Sequence, residues 1–219
     1  MKLYSYWRSS ASWRVRIVLA YKRISYEYVA VDLNPAHNGQ HDPKYGEINA
    51  MRQVPVIEWE HQGALVRLTQ SVAIIEHLET IHPSPQLLPD EPLQRARVRE
   101  LVEIVNSGIQ PLQNTGAVTE IRMLAGDDAA AKWTHDVNYR GISALEERVD
   151  QHGGRFAVGD MLTLADVFLI PQLYNANRFG VDLTRFPRCV EVAARASELP
   201  AFTTAHPDGQ VDAVPSVRS

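Results

Sequence analysis

The rhythm of apolar and polar positions changes about a third of the way along the chain. Leu3 to Trp7 reads as a short strand. Ser9 to Ser12 follow, each able to cap a helix, and then Val15, Val18 and Leu19 recur at helical spacing with the long side chains of Arg14, Arg16 and Lys22. Tyr26 to Val31, rich in aromatic and β-branched residues, predicts a second strand. Asn34 to Asn49 holds Pro35, Gly39, Pro43 and Gly46, too many breakers for a regular element, so a loop with a short helix is expected. Val54 to Trp59 and Ala64 to Leu68 are strands separated by Glu60-His61-Gln62-Gly63, a spacing suited to a hairpin. Ser71 can then start a helix that turns Val72, Ile74, Ile75 and Leu78 inward and ends before Pro83.

This order predicts a mixed α/β domain over residues 1–82, whose closing hairpin gives the sheet at least one antiparallel pair. Residues 83–91, with Pro83, Pro85 and Pro89, read as a linker. Helices dominate from 92 to 205. Pro92 suits a first helical turn, and Val98, Leu101, Val102, Val105 and Ile109 form one apolar stripe. Asp136 to Val149 reads as a further helix, Thr163-Leu164-Ala165-Asp166 as a capping box before Val167 to Ile170, and Cys189 to Leu199 as a last helix stopped by Pro200. Residues 206–219, with Pro207, Gly209 and Pro215, are expected to be extended over the surface or disordered.

Composition narrows the classes. With 45% hydrophobic and 22% charged residues, the 219-residue chain is of the globular type. Apolar runs such as Val167 to Ile170 fall short of the roughly 20 residues of a spanning helix, and Met1-Lys2 leads straight into a strand, so the expected compartment is the cytoplasm. The single Cys189 precludes an intramolecular disulfide and a multi-cysteine metal site, and reads as a buried small side chain. A net charge of -4 gives no general attraction to nucleic acid or anionic lipid, so neither is an expected partner and an anionic ligand needs local positive groups. Dinucleotide, phosphate-loop and zinc-protease motifs and C-x-x-C are absent from the sequence, so no metal is expected. The eight histidines show no ligand spacing, and Arg95, Arg97 and Arg99 read as a solvated helix surface.

The chemistry sits in Trp7-Arg8-Ser9-Ser10-Ala11-Ser12, a hydroxyl-rich turn between the first strand and the first helix. A helix N-terminus offers unpaired N–H groups and the positive end of the dipole, and so stabilises an anion, a thiolate included. On its own the stretch reads equally as a serine cap followed by solvent-facing serines. Other segments add to it: Gln53-Val54-Pro55-Val56, Gln70-Ser71, Gly108-Ile109-Gln110-Pro111-Leu112-Gln113-Asn114 and Asn175-Ala176-Asn177-Arg178-Phe179. In this order, and over nearly the whole chain, they resemble the zeta-class glutathione transferases, the family of the maleylacetoacetate and maleylpyruvate isomerases.

The resemblance implies a thioredoxin-like α/β N-terminal domain that binds glutathione, an all-α C-terminal domain that completes the substrate pocket, and a homodimer. It implies glutathione-dependent cis–trans isomerisation of a small dicarboxylate, a maleyl keto-acid. A conjugating transferase or dehalogenase and a non-catalytic protein of the same fold are the alternatives. Ser9 and Ser10 would face the sulfur. Val54, ahead of a cis Pro55, would pair with the cysteinyl backbone beside Gln53, Gln70 and Ser71 would hold the γ-glutamyl end, and Gln40 or His41 the glycyl carboxylate. Arg8 and Arg178 would fork onto substrate carboxylates. Gln110 and Asn114 would line the same pocket, on a helix bent at Gly108 and Pro111. Two positions depart from the family pattern: His41 stands where a glutamine is common, and Ala11 where many members carry cysteine.

Overall fold

The computed structural model describes residues 1–34 and 37–214; Pro35 and Pro215, counted above among the breakers, lie outside them. The chain divides into two units, Met1–Pro85 together with the segment from Pro200 onward, and Gln86–Leu199.

The first unit contains β1 (Lys2–Ser5), α1 (Ser10–Tyr21), β2 (Glu27–Ala30), α2 (Pro43–Ile48), β3 (Val56–His61), β4 (Ala64–Thr69) and α3 (Ser71–Ile81). The strands form one sheet in the order β2-β1-β3-β4, with β1 and β2 parallel and the other pairs antiparallel. The β3–β4 turn is tighter than the four-residue connection expected. His61 pairs with Ala64, so the turn is Gln62-Gly63 alone, with φ of 51° and 78°. Two successive positive φ angles are the signature of the turn whose twist matches that of the flanking strands.

Register brings four chain ends to one edge of the sheet. Ser5 pairs with Ala30, Tyr4 with Val56, and Val56 with Thr69. The exits of β1, β2 and β4 and the entry to β3 therefore lie together. Leu3, Val15, Ile17, Val18, Leu19, Ile57, Ile74, Ile75 and Leu78 are wholly buried between helices and sheet. At roughly 1.5–3 kcal/mol for each large side chain, this burial is the main force holding the layers together. Lys22 ends α1 inside the protein: its Nζ meets Glu79 at 2.5 Å and donates to the carbonyls of His82 at 2.6 Å and Pro85 at 2.8 Å. The start of the expected linker is thus tied to the first unit.

The C-terminal end departs most from expectation. The helical domain, expected to run to residue 205, ends at Leu199, and α10 (Pro200–Ala205) packs on α1. The following residues are held by specific bonds rather than lying loose over the surface. Pro207–Gly209 form a 3-10 turn, the His206 ring stands edge-on to Trp13 at 5.3 Å, and Asp212 accepts hydrogen bonds from the Trp7 amide and the Tyr28 hydroxyl. Proline and glycine mark a chain that leaves a helix; they carry no information about what it then packs against.

The second unit contains α4 (Pro92–Glu103), α5 (Gln110–Gln113), α6 (Thr115–Ala125), α7 (Asp127–His152), α8 (Leu164–Arg178) and α9 (Pro187–Ser197). α8 is its axis, buried on nearly every side from Leu164 to Ala176. It runs through Pro171, and the roughly 3 kcal/mol cost of an internal proline is outweighed by burying Val167, Phe168, Leu169 and Leu173 at about 1.5–3 kcal/mol each. Thr163 and Asp166 form the expected capping box. The wholly buried Asp166 carboxyl accepts from the amides of Ala157 at 2.8 Å and Thr163 at 2.9 Å and from the Thr163 hydroxyl at 3.2 Å. Burial nevertheless raises its pKa from 3.8 to about 6. Cys189 is buried as expected, and burial pushes its thiol well above its ordinary range.

Asp166→Ala orphans two buried amides at about 1–3 kcal/mol each, so urea denaturation is expected to show a loss of about 3 kcal/mol or more. A pH series adds a second signature. The native carboxyl keeps its proton up to about pH 6 and the unfolded one only to 3.8, so the native state binds more protons in that window and stability falls as pH rises through it. Relative to Asp166→Asn, which does not titrate, the wild type should lose roughly 3 kcal/mol across the window; parallel stability curves would contradict this.

Candidate active site

Ser9 is the N-cap of α1. Its Oγ accepts from the Ser12 amide at 3.2 Å while its own amide donates to the Tyr6 carbonyl at 3.0 Å. The capping role that the sequence allowed is therefore real, and it leaves the Ser9 hydroxyl proton able to donate outward. Ser10 opens the helix and is 7% exposed. Ser12 is turned inward, its Oγ buried without a hydrogen-bond partner among the described residues. Arg8 projects from the same turn, exposed, with its guanidinium 5.4 Å from the centre of the Trp7 ring.

Across the sheet edge, Val54–Pro55 is a cis peptide bond directly ahead of β3. Val54 is buried, and the Gln53 carbonyl before it is fixed by the Tyr45 hydroxyl and the Asn49 amide, each at 2.7 Å. Gln70 precedes α3 with φ 69° and ψ 120°, a conformation costing a non-glycine residue on the order of 1–3 kcal/mol. Its side chain makes no capping bond to the helix, and Ser71 begins α3 at 5% exposure. Beyond β2, Gly39–His41 is a short 3-10 turn held close to the strand: the Gly39 amide donates to Asp32 O at 2.7 Å, and a Cβ on Gly39 would come within 2.9 Å of that oxygen. The Gln40 amide has a long 3.4 Å bond to Asn38 Oδ1, and its Oε1 is buried with no partner among the described residues. His41 is exposed, and its carbonyl accepts from Arg52 at 2.8 Å.

Sheet register thus gathers Arg8, Ser9, Ser10, Gln53, Val54, Gln70 and Ser71 at one edge, with the Gln40–His41 turn beyond the exit of β2. Two helix N-termini, α1 and α3, open there. The first amides of the two helices, the serine hydroxyls and a weakly held glutamine form a donor set suited to a small ligand with a soft anion and carboxylates.

The remaining expected residues belong to the second unit. The bend expected at Gly108 and Pro111 is instead a π-helical stretch, Ile104–Ile109, after which Gln110 begins α5. Gly108 is not required for it, since a Cβ there would be 3.9 Å from its nearest neighbour; the close approach is at Gly141, where a Cβ would come within 2.2 Å of Ile109 Cγ1. Within this wider turn the Val105 and Ile109 side chains stay buried. Gln113 is locked by paired amide bonds to Gln172 at 3.0 and 3.2 Å, and Gln172 donates to Asn138 at 2.6 Å. Asn114 caps α6 through a 2.9 Å bond from the Thr115 amide to its Oδ1. Arg178 ends α8, exposed, with its guanidinium donating to Asn175 Oδ1 at 3.2 Å and lying 5.4 Å from the Phe179 ring centre.

A surface cleft of about 380 Å³ lies elsewhere on the first unit, between α1, residues 23–26 and α10; none of the expected site residues lines it. Sequence reasoning also missed the residues that support the serine turn. Arg16 is wholly buried and donates from Nη2 to the Trp7 carbonyl at 2.8 Å, from Nη1 to Ser5 Oγ at 3.1 Å and the Tyr6 carbonyl at 3.3 Å, and from Nε to the Ala205 carbonyl at 3.2 Å. The signal was legible in Trp13-Arg14-Val15-Arg16-Ile17-Val18-Leu19, where two arginines sit inside an apolar run with no polar face to join.

These features define a glutathione transferase: residues 1–80 match the model of the glutathione S-transferase N-terminal domain. The maleylacetoacetate isomerase of Dictyostelium discoideum is 42% identical over 97% of this chain and 96% of its own, and that of Mus musculus 39% over 99% and 97%. Among solved structures, the maleylacetoacetate isomerase of Anaeromyxobacter dehalogenans 2CP-1 with bound GSH superposes with a TM-score of 0.90 at 47% identity, covering 97% of both chains. The holo form of a zeta-class maleyl pyruvate isomerase superposes with a TM-score of 0.91 at 39% identity, covering 98% of this chain and 100% of its own. The chain belongs to the zeta-class glutathione transferase family, with the maleylacetoacetate isomerases.

The two serines separate by experiment. Ser9→Ala removes a helix cap and is expected to cost about 0.5–2 kcal/mol in thermal or chemical unfolding, whereas Ser10→Ala, which removes no capping bond, should cost less. Equal losses in both variants would contradict the assignment of the cap to Ser9.

Proposed function

We infer that the chain is a glutathione-dependent cis–trans isomerase that converts maleylacetoacetate to fumarylacetoacetate. The observation that carries this reading is the joining of Ser9, Ser10, Val54, Gln70 and Ser71 at one sheet edge, in a chain about 40% identical to maleylacetoacetate isomerases over nearly its full length. No helix among the described residues is long and apolar enough to cross a membrane; we place the enzyme in the cytoplasm, as a homodimer, on the family resemblance.

Bound glutathione supplies the sulfur nucleophile that adds reversibly to the activated double bond and departs after rotation, so that it is not consumed. This chain's residues hold and tune that sulfur. The Ser10 hydroxyl, at the N-terminus of α1, donates to the anionic sulfur, and the Ser9 hydroxyl adds a second donor while its oxygen keeps the helix capped. The Val54 backbone, presented ahead of β3, pairs with the cysteinyl unit as a strand would. The strained Gln70 and the first amides of α3 at Ser71 receive the γ-glutamyl carboxylate, and Gln40, whose Nε2 donates only through a long 3.4 Å bond, or His41 meets the glycyl end. Arg8 and Arg178 are each assigned to a substrate carboxylate, since both present an exposed guanidinium fork braced against an aromatic ring. Gln110 and Asn114 are assigned to the same substrate. The Ala11 side chain has no thiol, so the reactive sulfur is the ligand's own.

The test is an ultraviolet assay of maleylacetoacetate with substoichiometric glutathione. Complete conversion with glutathione recovered intact is expected; turnover without glutathione, or its mole-for-mole consumption, would overturn the reading. Maleylpyruvate assayed in parallel should be the slower substrate, and a faster rate on it would reassign the enzyme as a maleylpyruvate isomerase.

A further inference from the structure

The turn that presents Ser9 and Ser10 is not held by its own local bonds alone. Its Trp7 amide donates to Asp212 Oδ2 at 3.0 Å, across more than two hundred residues of chain. Asp212 Oδ1 accepts from the Tyr28 hydroxyl at 2.7 Å, and Tyr28 sits in β2 opposite Leu3 of β1. The carbonyl of the same Trp7 accepts from buried Arg16, which also takes the Tyr6 carbonyl and Ser5 Oγ. The Arg16 Nε bond to Ala205 ties the start of the C-terminal segment to the same group. Both polar backbone groups of Trp7 are therefore gripped from outside the turn, one by a cation in α1 and one by an anion near the C-terminus. The two charges share one region: burial lowers the Arg16 pKa, and the Asp212 carboxylate works in the opposite direction, favouring the charged guanidinium.

We propose that Asp212 and Arg16 are positioning residues for catalysis, and that the segment 206–214 is a strap holding the Trp7–Ser10 turn where its hydroxyls and the α1 N-terminus meet the glutathione sulfur. The inference rests on the proposed role of the serines. It goes beyond that role by assigning function to residues that touch neither glutathione nor substrate. The grip is specific to the sulfur end of the site. Among the described residues, Val54 ahead of β3 and Gln70 and Ser71 at the start of α3 have no backbone bond to this network, so the peptide part of glutathione should bind without it.

Asp212→Ala tests the strap, because Asp212 is partly exposed and its loss should leave the fold intact, whereas buried Arg16 is a poor target. In glutathione-free protein, amide exchange over residues 7–12 is expected to accelerate about tenfold, the effect of a charge-assisted hydrogen bond worth about 1.4 kcal/mol. With glutathione, kcat should fall by a similar factor, while the Kd for S-methylglutathione, which lacks the ionisable thiol, stays within about twofold. Asp212→Asn keeps an acceptor for Trp7 and should recover most of both losses. Tyr28→Phe, which leaves the Trp7 bond in place, should fall between the wild type and Asp212→Ala. Unchanged exchange over residues 7–12 in Asp212→Ala would overturn the proposal, as would a loss of S-methylglutathione affinity equal to the loss in kcat. Should the wild type bind no glutathione, the functional reading above falls, and the exchange measurement on the free protein still decides whether the strap exists.

Discussion

The serine turn of the N-terminal unit depends on satisfying the buried charge of Arg16. The Arg16 guanidinium is out of reach of water, and an unpaired charge there would cost several kcal/mol. Its donors are met by three carbonyls and a hydroxyl from β1, the turn after it and the end of α10. To keep that cation satisfied, the chain must hold the end of β1, the start of the reactive turn and the C-terminal segment in one arrangement. Hydrophobic burial between helices and sheet supplies most of the stability, but it is indifferent to the exact path of the turn. The directional bonds of Arg16 and Asp212 fix that path.

The second constraint is register. Because Tyr4, Val56 and Thr69 stand side by side, three chain segments far apart in sequence open onto one edge of the sheet. Shifting β3 by one residue would move the Val54–Pro55 bond away from the serine turn and turn Ile57 toward the opposite face. Core packing and site assembly are the same requirement at this point. On the proposed reading, stabilisation of an anionic sulfur rests on local geometry: the α1 N-terminus, and a capping serine whose oxygen serves the helix while its proton can point outward.

Much of this was legible in the sequence because it is written in short-range patterns. The strands, the α3 start at Ser71, the capping box at Thr163 and Asp166 and the apolar stripe from Val98 to Ile109 all follow from periodicity and caps. What was not legible came from distant partners. Pro200 correctly ended a helix, yet nothing nearby in the chain shows that α10 and Asp212 return to α1 and Trp7. Gly108 and Pro111 resemble a bend, whereas the π-helical stretch at 104–109 arises where Ile109 meets Gly141 across the bundle. The candidate site was found as a set only through the resemblance to a family. Its geometry explains why the scattered segments belong together, and it adds Arg16, Tyr28 and Asp212, none of which bears an obvious reactive signature.

The central claim is that this edge of the sheet holds glutathione as its thiolate. A titration of the thiolate absorbance of enzyme-bound glutathione tests it most directly. The account predicts a bound thiol pKa of about 7 or below, against about 8.5 for a free alkyl thiol, with the difference diminished in Ser10→Ala. A bound thiol that titrates like the free one, in both the wild type and the variant, would contradict it.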